Sequence, residues 1–165
     1  MISHTDFIKY FGLSLQDEPF ISFLQEMVPG LVDYAAGDDL YMISRENGVE
    51  IGFTNCCALF IDSNGAILEN LKPVFSHLTL YPPSLNILDK LPFNTNFSDR
   101  REAVISRAGT PTVTNAGFSA LLNKKYLVDN YKIADIVVTY DYNADSEAIN
   151  FIQIRDNELV QELKL

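Results

Sequence analysis

Histidine, cysteine and tryptophan are scarce in this chain, which has two histidines, two cysteines and no tryptophan among its 165 residues. The cysteines are neighbours, Cys56 and Cys57. They cannot supply the spaced Cys-x-x-Cys ligands of a zinc site, and a disulfide between them would be strained. The histidines, His4 and His77, lie far apart in the sequence. We therefore predict no metal site and no cofactor, and we expect both thiols to be reduced.

Long apolar runs and a basic leader are also missing. No window approaches the roughly 18 uninterrupted apolar residues that a membrane-spanning helix needs. The first residues, MISHTDFIKYFG, have neither the basic start nor the apolar run of a secretory signal. We expect a cytoplasmic protein without membrane contact.

Positive charge is scarce, since 12 Lys and Arg stand against 22 Asp and Glu and the formal net charge is −10. This balance disfavours nucleic-acid binding, which requires a basic face. An acidic surface favours solubility, and it also attracts a basic protein partner by electrostatic steering. Residues 98–132 are the exception, with six basic and three acidic side chains. We expect them to form salt bridges with the acidic flanks, leaving a negative, mostly N-terminal surface for a partner.

Motifs for covalent or phosphate chemistry are absent, including Gly-x-Ser-x-Gly, the phosphate loop and Gly-x-Gly-x-x-Gly. Residues 141–147 resemble half of a calcium loop, but Ser146 replaces the required Gly and Ile152 replaces the bidentate Glu. A polar hairpin loop is the simpler interpretation. A thiol–imidazole pair of Cys56 or Cys57 with His77 remains an alternative, although its flanks, GFTNCCALF, are apolar.

Residues 3–30 predict two helices. Thr5 is positioned to cap the first, which Gly12 ends. Pro19 fits the first turn of the second, and Pro29-Gly30 ends it. The apolar residues of this second helix repeat at helical spacing and predict a buried stripe: Phe20, Phe23, Leu24 and Met27.

From residue 40 onward the apolar pattern has the period of a β-strand. LYMIS and VEIGFT predict one hairpin, and CCALFID and AILENL predict another around Asn64-Gly65. FSHLTLY is either a strand or an extended loop, SLNILDKL predicts a turn or two of helix, and residues 109–124 read mostly as loop. IADIVVTYDY and AINFIQIRD predict two C-terminal strands.

The segment FSDRREAVISRAGTP, residues 97–111, predicts a short helix packed on a sheet. Asp99 and Glu102 have the spacing of a capping box, and Gly109 and Pro111 end the helix. Its arginines are most simply solvated. The fold class is therefore α+β: a single domain, 1–165, with N-terminal helices, a helix near residues 99–108 and a mainly antiparallel sheet of about five to six strands.

This segment, followed by YKIADIVVTYDYNADSEAINFIQI and preceded by Leu91-Pro92-Phe93, resembles a pattern in small immunity proteins of bacterial toxin systems. Those systems include the polymorphic, contact-dependent and type VI toxins. The resemblance covers Leu91 to Ile154. The helix here ends in Ala108 where the pattern has Leu, and Tyr126 or Tyr131 stands where it often has Trp.

The resemblance implies a protein without catalytic residues that binds a cognate toxin and occludes it through an acidic surface. A basic toxin is the natural electrostatic match. The exposed acids that we expect to bind it are Asp33, Asp38, Asp39, Glu46 and Glu50. Asp38-Asp39 as a catalytic carboxylate pair is disfavoured against a solvated turn. Two alternatives stay open: a small enzyme or ligand-binding domain using Cys56, Cys57 or His77, and a homodimer formed through the Phe-rich helical face.

Overall fold

The computed structural model describes residues 2–36, 39–55, 73–121 and 123–157, and these form an α+β fold. The helices are α1 (His4–Ile8), α2 (Glu18–Met27) and α3 (Arg101–Ala108), with short 3-10 turns at Pro82–Asn86 and Pro92–Asn94. The strands are β1 (Ile2–Ser3), β2 (Val32–Ala36), β3 (Asp39–Ser44), β4 (Val49–Asn55), β5 (Pro73–Leu80), β6 (Leu88–Lys90), β7 (Val113–Ser119), β8 (Lys124–Ile133), β9 (Ile136–Tyr142) and β10 (Ile149–Asp156).

A single antiparallel sheet organises these strands in the order β2-β3-β4-β5-β10-β9-β8-β7, while β1 pairs with β6 in parallel. The described residues thus give the main sheet eight strands, against the five to six that the sequence predicts. The additional ones include both edges, β2 and β7. An edge strand can leave much of its surface in solvent. Its sequence then lacks the regular alternation of apolar and polar residues that identifies a strand.

The core lies on one face of the sheet, which we call the helix face. On β4 its members are Val49, Ile51 and Phe53, each at most 1% exposed. Phe20 of α2 stacks on Phe75 of β5 with ring centroids 5.1 Å apart. Residues that alternate with them, such as Glu50, belong to the second face. The predicted stripe of α2 is confirmed, because this helix packs on the helix face.

The starts of the two N-terminal helices depend on local hydrogen bonds. Ser3, not the predicted Thr5, caps α1: its Oγ accepts from the Thr5 backbone N–H, and Asp6 accepts from the Ser3 backbone N–H. Asp17 flanks α2, but its carboxylate accepts from the Ser14 backbone N–H at 2.6 Å and does not cap the helix. Pro19 lies in the first turn, as predicted.

Helix α3 confirms the predicted segment but not its cap. Arg100 is the N-cap residue and no side chain caps the helix. The Asp99 carboxylate instead accepts from the Asn96 backbone N–H at 2.7 Å and pairs with Arg107. The predicted capping box is therefore wrong. Gly109 ends the helix with a φ of 86°, which explains the glycine.

The predicted loop at 109–124 is largely wrong, because β7 occupies Val113–Ser119 and pairs along its length with β8. Most of β7 is exposed. The LYMIS–VEIGFT hairpin and both C-terminal strands are confirmed as β3, β4, β9 and β10. The hairpin predicted around Asn64-Gly65 lies outside the described residues. In the described part of the chain no helix is long and apolar enough to cross a membrane.

Candidate partner-binding surface

Negative charge is concentrated at one end of the sheet. Residues 10–44, which form α2, β2 and β3, contain six acidic residues and no Lys, Arg or His. β2 is the edge of the sheet in this region, and its Val32 is 63% exposed. This stretch therefore carries only negative formal charge, and its first cationic neighbour along the chain after β3 is Arg45.

An apolar groove of about 460 Å³ lies between α2 and the β2–β3 strands, and we call it the helix groove. Its wall includes the turn after α2, where the Pro29 carbonyl accepts from both the Ser44 hydroxyl and the Asn47 amide at 3.1 Å. Every lining residue comes from the acidic stretch: Leu15, Ile21, Leu24, Gln25, Val28, Pro29, Gly30, Leu31 and Met42.

A second groove of about 490 Å³, the turn groove, lies beside the β3–β4 turn. Its charged lining residues are Arg45 and Glu50, of opposite sign. Burial, and then the negative charge of Glu50, raises the pKa of the lining residue Tyr81. Gly48 is required here, since a β-carbon would fall 2.8 Å from the Ser84 backbone nitrogen and φ is +57°. The turn groove is electrostatically mixed, unlike the helix groove.

The structure divides the predicted acids between two faces. Asp33 is exposed and pairs across β2–β3 with Met42, so it lies on the helix face beside the helix groove. Glu50 lies on the second face and lines the turn groove, and Glu46 is exposed in the adjoining turn. Asp39 begins β3, and Asp38 lies outside the described residues. These five acids therefore do not form a single patch on one face.

His77 lies on the second face, among small polar side chains. Its Nδ1 is 3.0 Å from the Ser76 hydroxyl, which is 2.7 Å from the Thr54 hydroxyl. Its ring packs against the ring of Tyr41 in a T-shaped arrangement, with ring centroids 5.6 Å apart. Cys56 and Cys57 lie outside the described residues, so a thiol–imidazole pair stays a prediction. His4 is elsewhere, with Nδ1 3.2 Å from the Lys90 carbonyl oxygen, and burial lowers its pKa.

The loop at 141–147 folds as a polar hairpin turn. The Asn143 side-chain oxygen accepts from the backbone N–H groups of Asp145 and Ser146, both at 3.0 Å. This confirms the interpretation that the loop satisfies its own backbone. Across the described residues, no group of three or more His, Cys, Asp or Glu side chains is arranged to hold a metal ion.

Sequence reasoning missed a buried polar cluster under α3. Asp129 is fully buried and accepts from Arg101 through Nε at 2.8 Å and Nη2 at 3.1 Å. The Thr114 hydroxyl donates to the same carboxylate at 2.6 Å. The prediction that the arginines of this segment are solvated is wrong for Arg101. The sequence feature that could have predicted this cluster is the Asp within the largely apolar strand segment YLVDNYKI.

Three tyrosines surround this cluster on β8 and β9. Burial is the main cause that raises the pKa of Tyr131 to about 12, and it also raises the pKa values of Tyr140 and Tyr142. The Tyr140 hydroxyl donates to the Pro92 carbonyl at 2.9 Å. The buried hydroxyls of Tyr131 and Tyr142 have no hydrogen-bond partner among the described residues. The cluster therefore anchors α3 to the sheet.

The basic segment is partly neutralised by these contacts. Arg101–Asp129 and Arg107–Asp99 pair within residues 98–132, whereas Lys125 pairs with Asp145 of the C-terminal flank at 3.1 Å. Of these three pairs, Lys125–Asp145 is the one that joins the basic segment to an acidic flank, as the sequence predicts. None of these pairs involves an acid of residues 10–44, whose negative charge remains at the other end of the sheet.

No family model matches this chain, and no curated protein matches it significantly. Among solved structures it is similar to a cysteine-rich secretory protein from Staphylococcus aureus subsp. aureus Mu50. The TM-score is 0.47 and the sequence identity is 8%, over 91% of this chain and 44% of the other. The chain therefore spans less than half the length of that protein.

Proposed function

We propose that this chain is an immunity-type protein of the cytoplasm, which binds and neutralises a cognate bacterial toxin and catalyses no reaction of its own. The observation that carries the proposal is the helix groove. An apolar groove whose every lining residue comes from a stretch with six acids and no bases is suited to a protein partner that is both apolar and basic.

Interfaces derive most of their affinity from a few apolar anchors at the centre, while charges at the rim control the rate of association. The helix groove offers such a centre through Ile21, Leu31 and Met42. Asp33 is an acid placed to act at its rim, because it pairs across the strands with the lining residue Met42. The resemblance described above supplies the class of partner, a toxin whose active surface is basic.

The first experiment identifies the partner and tests neutralisation together. Tagged protein is incubated with a lysate of its source, and a captured protein is identified by mass spectrometry. The captured protein is then expressed in a naive bacterial host with and without this chain. We expect growth arrest that this chain relieves. A partner whose expression is harmless, or whose toxicity this chain does not relieve, would contradict the proposal.

Charge reversal then tests the surface. We expect Asp33→Lys to weaken toxin binding by about tenfold, or about 1.4 kcal/mol, mainly through slower association at low salt. Glu102→Lys is the matched control, because Glu102 is exposed on α3 and undergoes the same charge change far from the groove. If the two variants bind the toxin equally well, the helix groove is not the binding surface even if the protein is an inhibitor.

A further inference from the structure

The hairpin formed by β7 and β8 exposes large apolar side chains. Phe118 is 59% exposed, Leu121 is 94% exposed and Tyr126 is 42% exposed. Lys124 and Lys125 lie on the same hairpin and are also exposed. By strand register Phe118 and Lys125 lie on one face of the hairpin and Tyr126 and Lys124 on the other, with Leu121 at the turn, so the end of the hairpin presents apolar side chains on both sides. We call these five residues the hairpin tip.

The hairpin tip is built on regular structure. The backbones of β7 and β8 pair continuously from Val113↔Asn130 to Ser119↔Lys124. The ring of Tyr126 covers Gly117, where a β-carbon would fall 2.7 Å from the tyrosine hydroxyl oxygen. The glycine therefore leaves room for the Tyr126 ring to lie across β7, and the tyrosine stays 42% exposed.

The hairpin tip and the helix groove are complementary in two respects. Both are apolar at the centre, and the positive charge of the tip is opposite in sign to the acids of residues 10–44. They also lie at opposite edges of the sheet, because β7 and β2 are the two ends of the strand order. Seven strand spacings separate these edges by roughly 33 Å, so one molecule cannot insert its tip into its own groove.

We propose that the hairpin tip of one copy docks in the helix groove of a second copy. Leu121 enters the apolar groove and Lys124 approaches Asp33 at its rim, while Lys125 keeps its pairing with Asp145. Each contact joins the tip of one copy to the groove of another. Every open assembly therefore still has a free tip at one end and a free groove at the other. Such a heterologous contact builds chains head to tail unless the rotation between copies closes a ring.

Sedimentation equilibrium of the full chain tests self-association without any toxin. We expect the average mass to rise with concentration between about 1 µM and 1 mM, the range of weak contacts, and to rise less at high salt. Leu121→Ser should leave a monomer at every concentration. Leu85→Ser is the matched control, because Leu85 is an exposed leucine (38%) outside both surfaces.

A mixing experiment distinguishes head-to-tail docking from a symmetric dimer. Ile21→Lys puts a cation into the groove and leaves the tip intact, and Gln25→Lys, at an exposed lining residue of α2, is a second groove variant less able to perturb folding. Each groove variant alone should be monomeric. Mixed with Leu121→Ser, it should give a one-to-one complex that does not extend, because only one intact tip and one intact groove can meet.

Three results would overturn the proposal. The first is a wild-type chain that gains no mass at any concentration tested. The second is groove variants that associate as well as the wild type, which would mean that tips contact tips. The third is a monomer that binds anionic phosphatidylserine vesicles through Leu121, which would assign the hairpin tip to a lipid surface. Toxin neutralisation is measured separately from self-association.

Discussion

The imidazole ring of His77 lies directly over the α-carbon of Gly52, on the neighbouring strand of the sheet. A β-carbon built at position 52 would lie 1.9 Å from the His77 Nε2 atom and 2.1 Å from Cε1. Glycine at this position therefore has a steric reason: only a residue without a side chain leaves room for the ring.

We expect Gly52→Ala to destabilise the protein by about 1–3 kcal/mol, the usual cost of forcing extra atoms into a packed site. The combined change Gly52→Ala with His77→Ala should cost less than the sum of the two single changes, because the clash disappears with the ring. Denaturant unfolding of the four proteins in this cycle measures the coupling. Additive costs would show that the ring moves aside easily.

The three tyrosines beside Asp129 should respond differently to loss of the hydroxyl. Tyr140→Phe removes hydrogen bonds to Pro92 and Thr95, so we expect a loss of about 0.5–1.5 kcal/mol in the free energy of unfolding. Tyr131→Phe and Tyr142→Phe remove buried hydroxyls that bond to nothing in the described part of the chain, and they should be neutral or slightly stabilising. Equal destabilisation by all three, measured by urea unfolding, would contradict this assignment.

The Arg101–Asp129 pair should matter far more than the Arg107–Asp99 pair. Arg101→Met leaves the fully buried Asp129 carboxylate without its cationic partner. We expect a loss of about 3–5 kcal/mol in the free energy of unfolding. Arg107→Met is the matched control on the same helix; it breaks a more exposed pair and should cost less than about 1 kcal/mol. Thermal or urea unfolding of both variants gives the comparison. A similar loss for both would indicate that the hydrogen bond from Thr114 is enough to stabilise the buried Asp129 carboxylate.

Alkaline pH should unfold the protein steeply. Burial raises the folded-state pKa of Tyr131 to about 12 and raises those of Tyr140 and Tyr142, while each tyrosine ionises near pH 10 when unfolded. Above pH 10 the unfolded chain therefore binds fewer protons than the folded one, and stability falls as pH rises. The slope is up to about 1.4 kcal/mol per pH unit for each tyrosine.

Unfolding monitored by circular dichroism between pH 8 and pH 12.5, about the range in which tyrosines titrate, measures this loss. The double variant Tyr131→Phe with Tyr142→Phe should show a shallower decline than the wild type. If its stability fell as steeply as that of the wild type, the two phenols would not be the groups responsible.

Local patterns predicted helix α2 and the core strands, because those elements bury a regular apolar face. Phe20 and Leu24 at helical spacing, and Val49, Ile51 and Phe53 at strand spacing, place the core without knowledge of the fold. β7 was missed because an exposed edge strand has no such face to bury. Cap positions also escaped sequence reasoning: Ser3 and Thr5 are chemically alike, and the path of the chain decides which of them caps α1.

The candidate surface was predictable in charge but not in shape. Net acidity of the N-terminal half is a property of composition, whereas the helix groove depends on where the turn after α2 meets the β3–β4 turn. The division of Asp33 and Glu50 between two faces depends on strand register, which composition does not reveal. The Arg101–Asp129 pair joins residues far apart in sequence, so only the fold brings them together.

The two hydrogen bonds to the Pro29 carbonyl have a consequence for the kinetics of binding. Because Ser44 and Asn47 already tie that turn to the β-hairpin, the groove wall is preorganised before a partner arrives. A partner then loses little affinity to loop ordering, and its encounter rate is set by diffusion and charge. Loosening this turn with Ser44→Ala and Asn47→Ala would slow capture even though neither residue touched the partner.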